Sequence, residues 1–231
     1  MKFELVNHSY NYSRLLAYQL SSLILYNKGH DLTYSMYVEH RDIPTWDCID
    51  YFKPLMPDNV KMQVYSMELG LLKNRAIGRN ISAKTTNADW VWFTDTDYCF
   101  NDQTWDMLTS ELKDSTAEFV WPKRIWETSW DTGDQLMAEM TSPMVGAVHM
   151  RHVVEKRMRR GIGGVQIARG DVVRETGYCP SYSGPCDDWN FRSDVHFRRQ
   201  FSRMKEVDLW HVIRIRHRDK GYGAPNLEVN N

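Results

Sequence analysis

An α/β fold with a mainly parallel central sheet is what the sequence predicts, and three observations predict it. Strand-like and helix-like stretches alternate through the first half of the chain, the pattern of βαβ units. The 231 residues are enough for a substantial core in one large domain. The run "DWVWFT" leads apolar and aromatic residues straight into Asp95 and Asp97. That puts two carboxylates at a strand's carboxyl end, where open α/β sheets gather their ligands.

From the N-terminus, "KFELVNH" reads as the first strand. Ser13 is placed to cap "SRLLAYQLSSLILYNKG", where Leu15, Leu16, Leu20, Leu23 and Ile24 keep a helical period and Gly29 ends it. "LTYSMYVEH" is a second strand, "DCIDYFKPLMPDN" a short helix and turn, and "VKMQVYS" a third strand. "NRAIGRNISAKTTN" is helical and feeds the strand that carries the aspartates. "DQTWDMLTSELKD" follows as a helix and "AEFVWP" as a strand. Residues 123–160 mix helix-like pieces with breakers and read as a mobile or substrate-covering excursion from the sheet. Their basic run "EKRMRR" reads as a solvated face. Beyond it, "GGVQIAR" is a strand, "DVVRETG" a short helix, "DDWNFRSDVHFRRQFSR" a longer helix and "VDLWHVIRIRH" a last strand.

Twenty-nine Lys and Arg stand against thirty Asp and Glu, so no global field draws nucleic acid. Nine tryptophans suit sugar-stacking surfaces as well as cores. Cys48, Cys99, Cys179 and Cys186 form no CxxC pair and no disulfide framework. The N-terminal "MKFELVNHSYNY" lacks a signal peptide's apolar core, and no run is long enough to span a membrane. A soluble, cytoplasmic protein is expected.

Aspartate is common in turns after strands, because its side chain bonds local backbone NH groups. On extended backbone, side chains two residues apart project to one side, so Asp95 and Asp97 are expected to face one point. Two like charges held close call for a cation, and oxygen ligands suit Mg²⁺ or Mn²⁺.

Four pieces stand in order: "NRAIGRN", "FTDTDYCFND", "GGVQIAR…GYCPSYSGPCDDWNFR" and "IRIRHRDKGYGAPN". Together they resemble the GT-A glycosyltransferases, particularly the inverting β-1,4-galactosyltransferase-like family and its relatives in glycosyltransferase family 2. The resemblance spans about residues 5–226. It implies a single Rossmann-like domain over 1–231, with a nucleotide-binding half to about residue 100 and an acceptor-binding half after it. It also implies transfer of a sugar, with inversion, from a nucleotide sugar (a UDP-sugar by the family's habit) to a hydroxyl of a glycan or other acceptor.

Residue by residue, Asp97 resembles the metal-ligating aspartate, and Asp95 the one facing the ribose and the metal's waters. Arg75 resembles a nucleotide contact, and His217 the late histidine of the metal site. A bound Mn²⁺ or Mg²⁺ stabilises a diphosphate leaving group as a Lewis acid and template. An inverting transfer also needs a carboxylate beside the acceptor hydroxyl. "GPCDDWNFR" offers Asp187 and Asp188, and the alignment admits either, with Asp194 next in line. As ordinary helix residues, Asp187 is suited to capping, and Asp188 with Arg192, like Asp194 with Arg198, to an i,i+4 ion pair. Cys186 stands where the family has glutamate, Pro185 where it has glycine and Ser183 where it often has tryptophan, which puts the acceptor in doubt. Arg214 replaces the methionine that ligates the metal in that family.

By position, Asn7, His8 and Glu39 fall where GT-A proteins contact base and ribose, and Trp126 and Trp130 are candidate sugar-stackers. The alternative is a catalytically lapsed nucleotide-sugar or glycan-binding module of the same fold. A phosphatase with the first aspartate as nucleophile fits less well, since its motif belongs on the first strand.

Overall fold

Phe3–Ser9 (β1) is buried along its whole length, as a central strand covered on both faces must be. It runs parallel to β2 (Leu32–Glu39) on one side and β4 (Trp90–Phe93) on the other, and β3 (Val60–Met67) extends the parallel set beyond β2. Beyond β4, β9 (Gln166–Arg169) is antiparallel to both β4 and β6 (Phe119–Pro122), and β10 (Met204–Val207) closes the edge parallel to β6. The order β10-β6-β9-β4-β1-β2-β3 makes a mixed, mostly parallel sheet of seven strands. Successive strands go to one side of β1 and then to the other, so the carboxyl ends of β1 and β4 border a topological switch point. The computed structural model describes residues 1–178 and 187–218, and of 187–192 the helical backbone alone.

The two-residue alternation of the strands sorts the core between the faces of this sheet. Leu5 and Trp92 pack with Leu15, Leu16, Leu20 and Leu23 of α1 (Ser13–Tyr26) and with Phe52 of α2 (Ile43–Phe52). Val6, Val91 and Phe93 meet Ala76 and Ala83 on α4 (Arg75–Thr85), Val173 on α7 (Gly170–Thr176) and Phe197 on α8 (Asp187–Arg198). The short α3 (Leu69–Lys73) precedes α4, and α5 (Thr104–Leu112) buries Leu108 and Leu112. The N-cap of α1 is Tyr12 with no side-chain cap bond, so Ser13 is the first helical residue rather than the cap. Asn74 caps α4, accepting from Ala76 N at 3.3 Å.

Two expectations change. Residues 123–160 leave the first sheet as regular structure: they contain β7 (Arg124–Thr128), α6 (Trp130–Glu139) and β8 (Val153–Arg157). With β5 (Tyr98–Phe100) and β11 (Val212–Arg214) these strands form a second sheet, ordered β5-β11-β7-β8. The expected last strand, residues 207–217, is shorter: its Val207 ends β10 of the first sheet, and only Val212–Arg214 forms β11 of the second. His211 turns the chain between them with φ +68°. Among the described residues no helix is long and apolar enough to cross a membrane.

Candidate active site

Asp95 and Asp97 sit in a turn, not on extended backbone: Tyr98 N donates to Asp95 O at 3.2 Å before the chain resumes as β5. Their carboxylates take different hydrogen-bond partners, while Asp95 stays within electrostatic reach of Asp97.

Asp95 is held from α4. Arg75 and Arg79, one helical turn apart, donate to its Oδ1 at 2.6 and 2.9 Å. The Arg79 residue is 1% exposed, and it also donates to Tyr178 Oη at 2.7 Å and to Thr94 O at 3.2 Å. Burial pushes the Asp95 carboxyl up, but the two guanidinia outweigh it and hold it below the ordinary value. Sequence reasoning found Arg75 and missed Arg79. The signal was the four-residue spacing inside "NRAIGRN".

Asp97 is held from the second sheet. Arg214 Nε donates to its Oδ2 at 2.8 Å, and the same guanidinium lies 3.5 Å from Glu127 Oε1, which Lys156 pairs at 2.8 Å. Burial and the neighbouring Asp95 push the Asp97 carboxyl up, while Arg214 pulls against them. Asp97 Oδ1 is buried without a hydrogen-bond partner, and so is Nδ1 of His217, which lies within electrostatic reach of Asp97. His217 packs edge-on against Tyr12, at 5.1 Å between ring centroids. Its segment is docked on α6. Arg218 N donates to Asp134 Oδ1 at 2.9 Å, and its guanidinium reaches Asp131 and Asp134 at 2.6 and 2.5 Å. Gly133 lets the Arg216 carbonyl come so close that a Cβ there would collide with it.

The turn itself is braced from four directions. Gln19, in the middle of α1, donates to Asp95 O at 2.9 Å and Tyr98 O at 2.8 Å. Thr96 Oγ1 donates to His8 O at 3.0 Å, and Ile215 N to Asp97 O at 2.8 Å. Gly164 packs flat on the turn: a Cβ there would lie 2.6 Å from the Tyr98 ring and 2.7 Å from Asp95 N. Gly164→Ala is expected to cost about 1–3 kcal/mol through overpacking. At about 2–4 °C per kcal/mol for a chain of this size, a thermal melt checks it, and an unchanged melting temperature would show that the turn yields freely. Gln19 too was missed by sequence reasoning. Its signal was a lone amide inside an apolar helix, which burial obliges to find partners.

Asn7 and Glu39 are both buried and hydrogen-bonded within the fold. Asn7 is fully buried, donating to Gln19 Oε1 at 2.9 Å and Tyr34 Oη at 3.0 Å, so its side chain braces the turn through Gln19. Glu39 accepts from Arg41 N at 2.6 Å and pairs with His40 at 3.1 Å, closing the loop after β2. His8 is buried beneath Gly78 of α4 and stacks on Tyr37 at 4.9 Å, with neither ring nitrogen hydrogen-bonded. Burial, with Arg79 and Arg75 nearby, holds it well below the ordinary histidine value, so it is neutral.

Asp187 and Asp188 open α8, and their side chains lie outside the described residues. Asp194 accepts from Gly163 N at 3.2 Å, and Arg198 donates to Gly161 O at 3.2 Å, so the expected i,i+4 pair does not form. Trp126 packs against the core, and Trp130 is covered by the Arg216 guanidinium, 4.2 Å from its ring centroid.

No protein-family model and no curated protein sequence matches the chain. Solved structures do. Residues 1–349 of S. aureus TarS, in complex with UDP-GlcNAc, match with a TM-score of 0.61 and 13% identity, over 97% of this chain and 61% of that one. The mannosyltransferase PcManGT from Pyrobaculum calidifontis, in complex with GDP-Man and Mn²⁺, matches with a TM-score of 0.59 and 12% identity, over 93% of this chain and 56% of that one. The fold is the GT-A fold. This chain spans about three-fifths of those chains' length, and identity this low carries the architecture alone.

Proposed function

We propose that the chain is an inverting glycosyltransferase that moves a sugar from a nucleotide-sugar donor, of which a UDP-sugar is the first choice, to a hydroxyl of a glycan or other acceptor. The observation that carries this reading is the turn after β4: two aspartates at the sheet's switch point, with three arginines reaching their carboxylates. Such a site suits a ligand that brings its own negative charge, as a sugar diphosphate does. The solved neighbours support the donor class, since their complexes hold UDP-GlcNAc and GDP-Man.

The residues present fit a divalent cation of restricted kind. Asp97 Oδ1 and His217 Nδ1 are buried polar atoms without hydrogen-bond partners, an oxygen and an imidazole nitrogen of the kinds that suit Mn²⁺ or Mg²⁺. Among the described residues no three His, Cys, Asp or Glu side chains gather as a complete metal site, so the diphosphate and water would supply the remaining ligands. When bound, such an ion stabilises the charge that develops on the leaving diphosphate. In this reading Arg79 and Arg75 fix Asp95 toward the ribose, and Gln19 and Gly164 hold the turn against movement. Asp188 or Asp187 takes the acceptor's proton from the opposite side of the sugar. Residues to about 100 form the nucleotide half and the remainder the acceptor half.

Titration calorimetry with UDP, GDP and dTDP tests the donor class, and nucleotide-sugar hydrolysis tests turnover. UDP is expected to bind more tightly once Mn²⁺ is added, by about the tenfold or more that one additional charge-assisted contact supplies. An affinity that Mn²⁺ leaves unchanged would remove Asp97 and His217 from the ligand set. Binding without any turnover would favour the lapsed module.

A further inference from the structure

The carboxylate expected to hold a metal already holds a cation. Arg214 stands where the resembling family places a methionine ligand, and its Nε lies 2.8 Å from Asp97 Oδ2. A guanidinium there does what a divalent ion does first, which is to set positive charge against a buried carboxylate and beside the space above it. Unlike an ion, it cannot be chelated.

Three features give Arg214 a role beyond pairing. Its side chain is 40% exposed, whereas that of Asp97 is 9% exposed, so the guanidinium forms the accessible rim of the pair. Only Nε and Nη1 are turned to Asp97 and Glu127, and among the described residues Nη2 has no hydrogen-bond partner. Glu127 is already paired with Lys156, so it does not need Arg214 to neutralise it. An arginine guanidinium stays charged throughout the physiological pH range. Around the turn, Arg75, Arg79 and Arg214 face Asp95 and Asp97, which leaves one positive charge in excess before any ion binds.

We propose that Arg214 contacts the donor's diphosphate directly through its free edge, giving the site a mode of nucleotide binding that needs no divalent cation. This rests on the nucleotide-sugar reading above. The cation then adds to binding and charge stabilisation rather than making binding possible. Arg214 is a specificity-determining residue in this sense: it selects ligands carrying a diphosphate over the nucleoside alone.

UDP, GDP and uridine are titrated into the full chain by calorimetry in EDTA and then in Mn²⁺. The wild type is expected to bind a nucleoside diphosphate in EDTA and uridine much more weakly. R214M, which restores the family's methionine, is expected to lose about 10- to 100-fold in EDTA, the worth of one charged hydrogen-bonding contact. It should recover most of that loss in Mn²⁺, and R214K should fall between. The double variant R214M/D97N separates contact from charge balance. If Arg214 merely neutralises Asp97, removing both restores binding in EDTA, and that result overturns the proposal. Wild-type binding that vanishes in EDTA overturns it as well, whether or not any variant folds. Failure of UDP and GDP to bind under either condition removes the nucleotide reading itself.

Discussion

Arg79→Met is expected to destabilise the protein by about 3 kcal/mol, the lower end of what removing one partner of a buried ion pair costs. Arg79 is almost wholly enclosed and serves three acceptors: Asp95 Oδ1, Tyr178 Oη and Thr94 O. Its loss leaves the Tyr178 hydroxyl with Gln166 alone, which it reaches at 2.8 Å, and leaves Asp95 with Arg75 alone. The half-exposed Arg75 keeps Asp95 from being an orphan, which is why the upper end is not expected. Arg75→Met is the control, and as one partner of a solvent-screened pair it should cost no more than about 1 kcal/mol. Urea unfolding of both variants measures the difference. Equal destabilisation would mean that the buried guanidinium does not hold the turn.

Asparagine in place of the true catalytic base is expected to lower transfer by about 10²–10⁴-fold. The amide keeps the carboxylate's shape and most of its hydrogen bonds but does not take the acceptor's proton. Of Asp188→Asn and Asp187→Asn, one should abolish transfer while nucleotide affinity stays within a few-fold, and the other should act mainly through the start of α8. Steady-state rates with a nucleotide-sugar donor, alongside UDP calorimetry, separate these outcomes. Wild-type rates in both variants would place the base elsewhere. Asp194 would then be next, since it already hydrogen-bonds Gly163 N and its neighbour Gly164 lies against the Asp95 turn.

What was legible in the chain was local. The short apolar runs in "KFELVNH" and "DWVWFT", the helical period of the α1 leucines and the strand-to-helix alternation each depend on neighbours a few residues away, and each appears in the fold. The position of Asp95 and Asp97 at the end of β4 follows from the same arithmetic. The extent of the last strand did not: of "VDLWHVIRIRH" only Val212–Arg214 pairs in the second sheet and Val207 ends β10 in the first, because a local apolar pattern does not say which sheet its residues will join.

The partners of the two aspartates were beyond any local reading. Arg214 meets Asp97 across 117 residues, only because β11 lies antiparallel to β5 in the second sheet. Gln19 reaches the turn across 76 residues because α1 packs over its backbone. Residue type and spacing along the chain establish which groups are available and on which side of a strand or helix they emerge. Which charge neutralises which is set by how the two sheets and α4 pack, since Coulomb and hydrogen-bond energies depend on separation in space and carry no memory of separation in sequence.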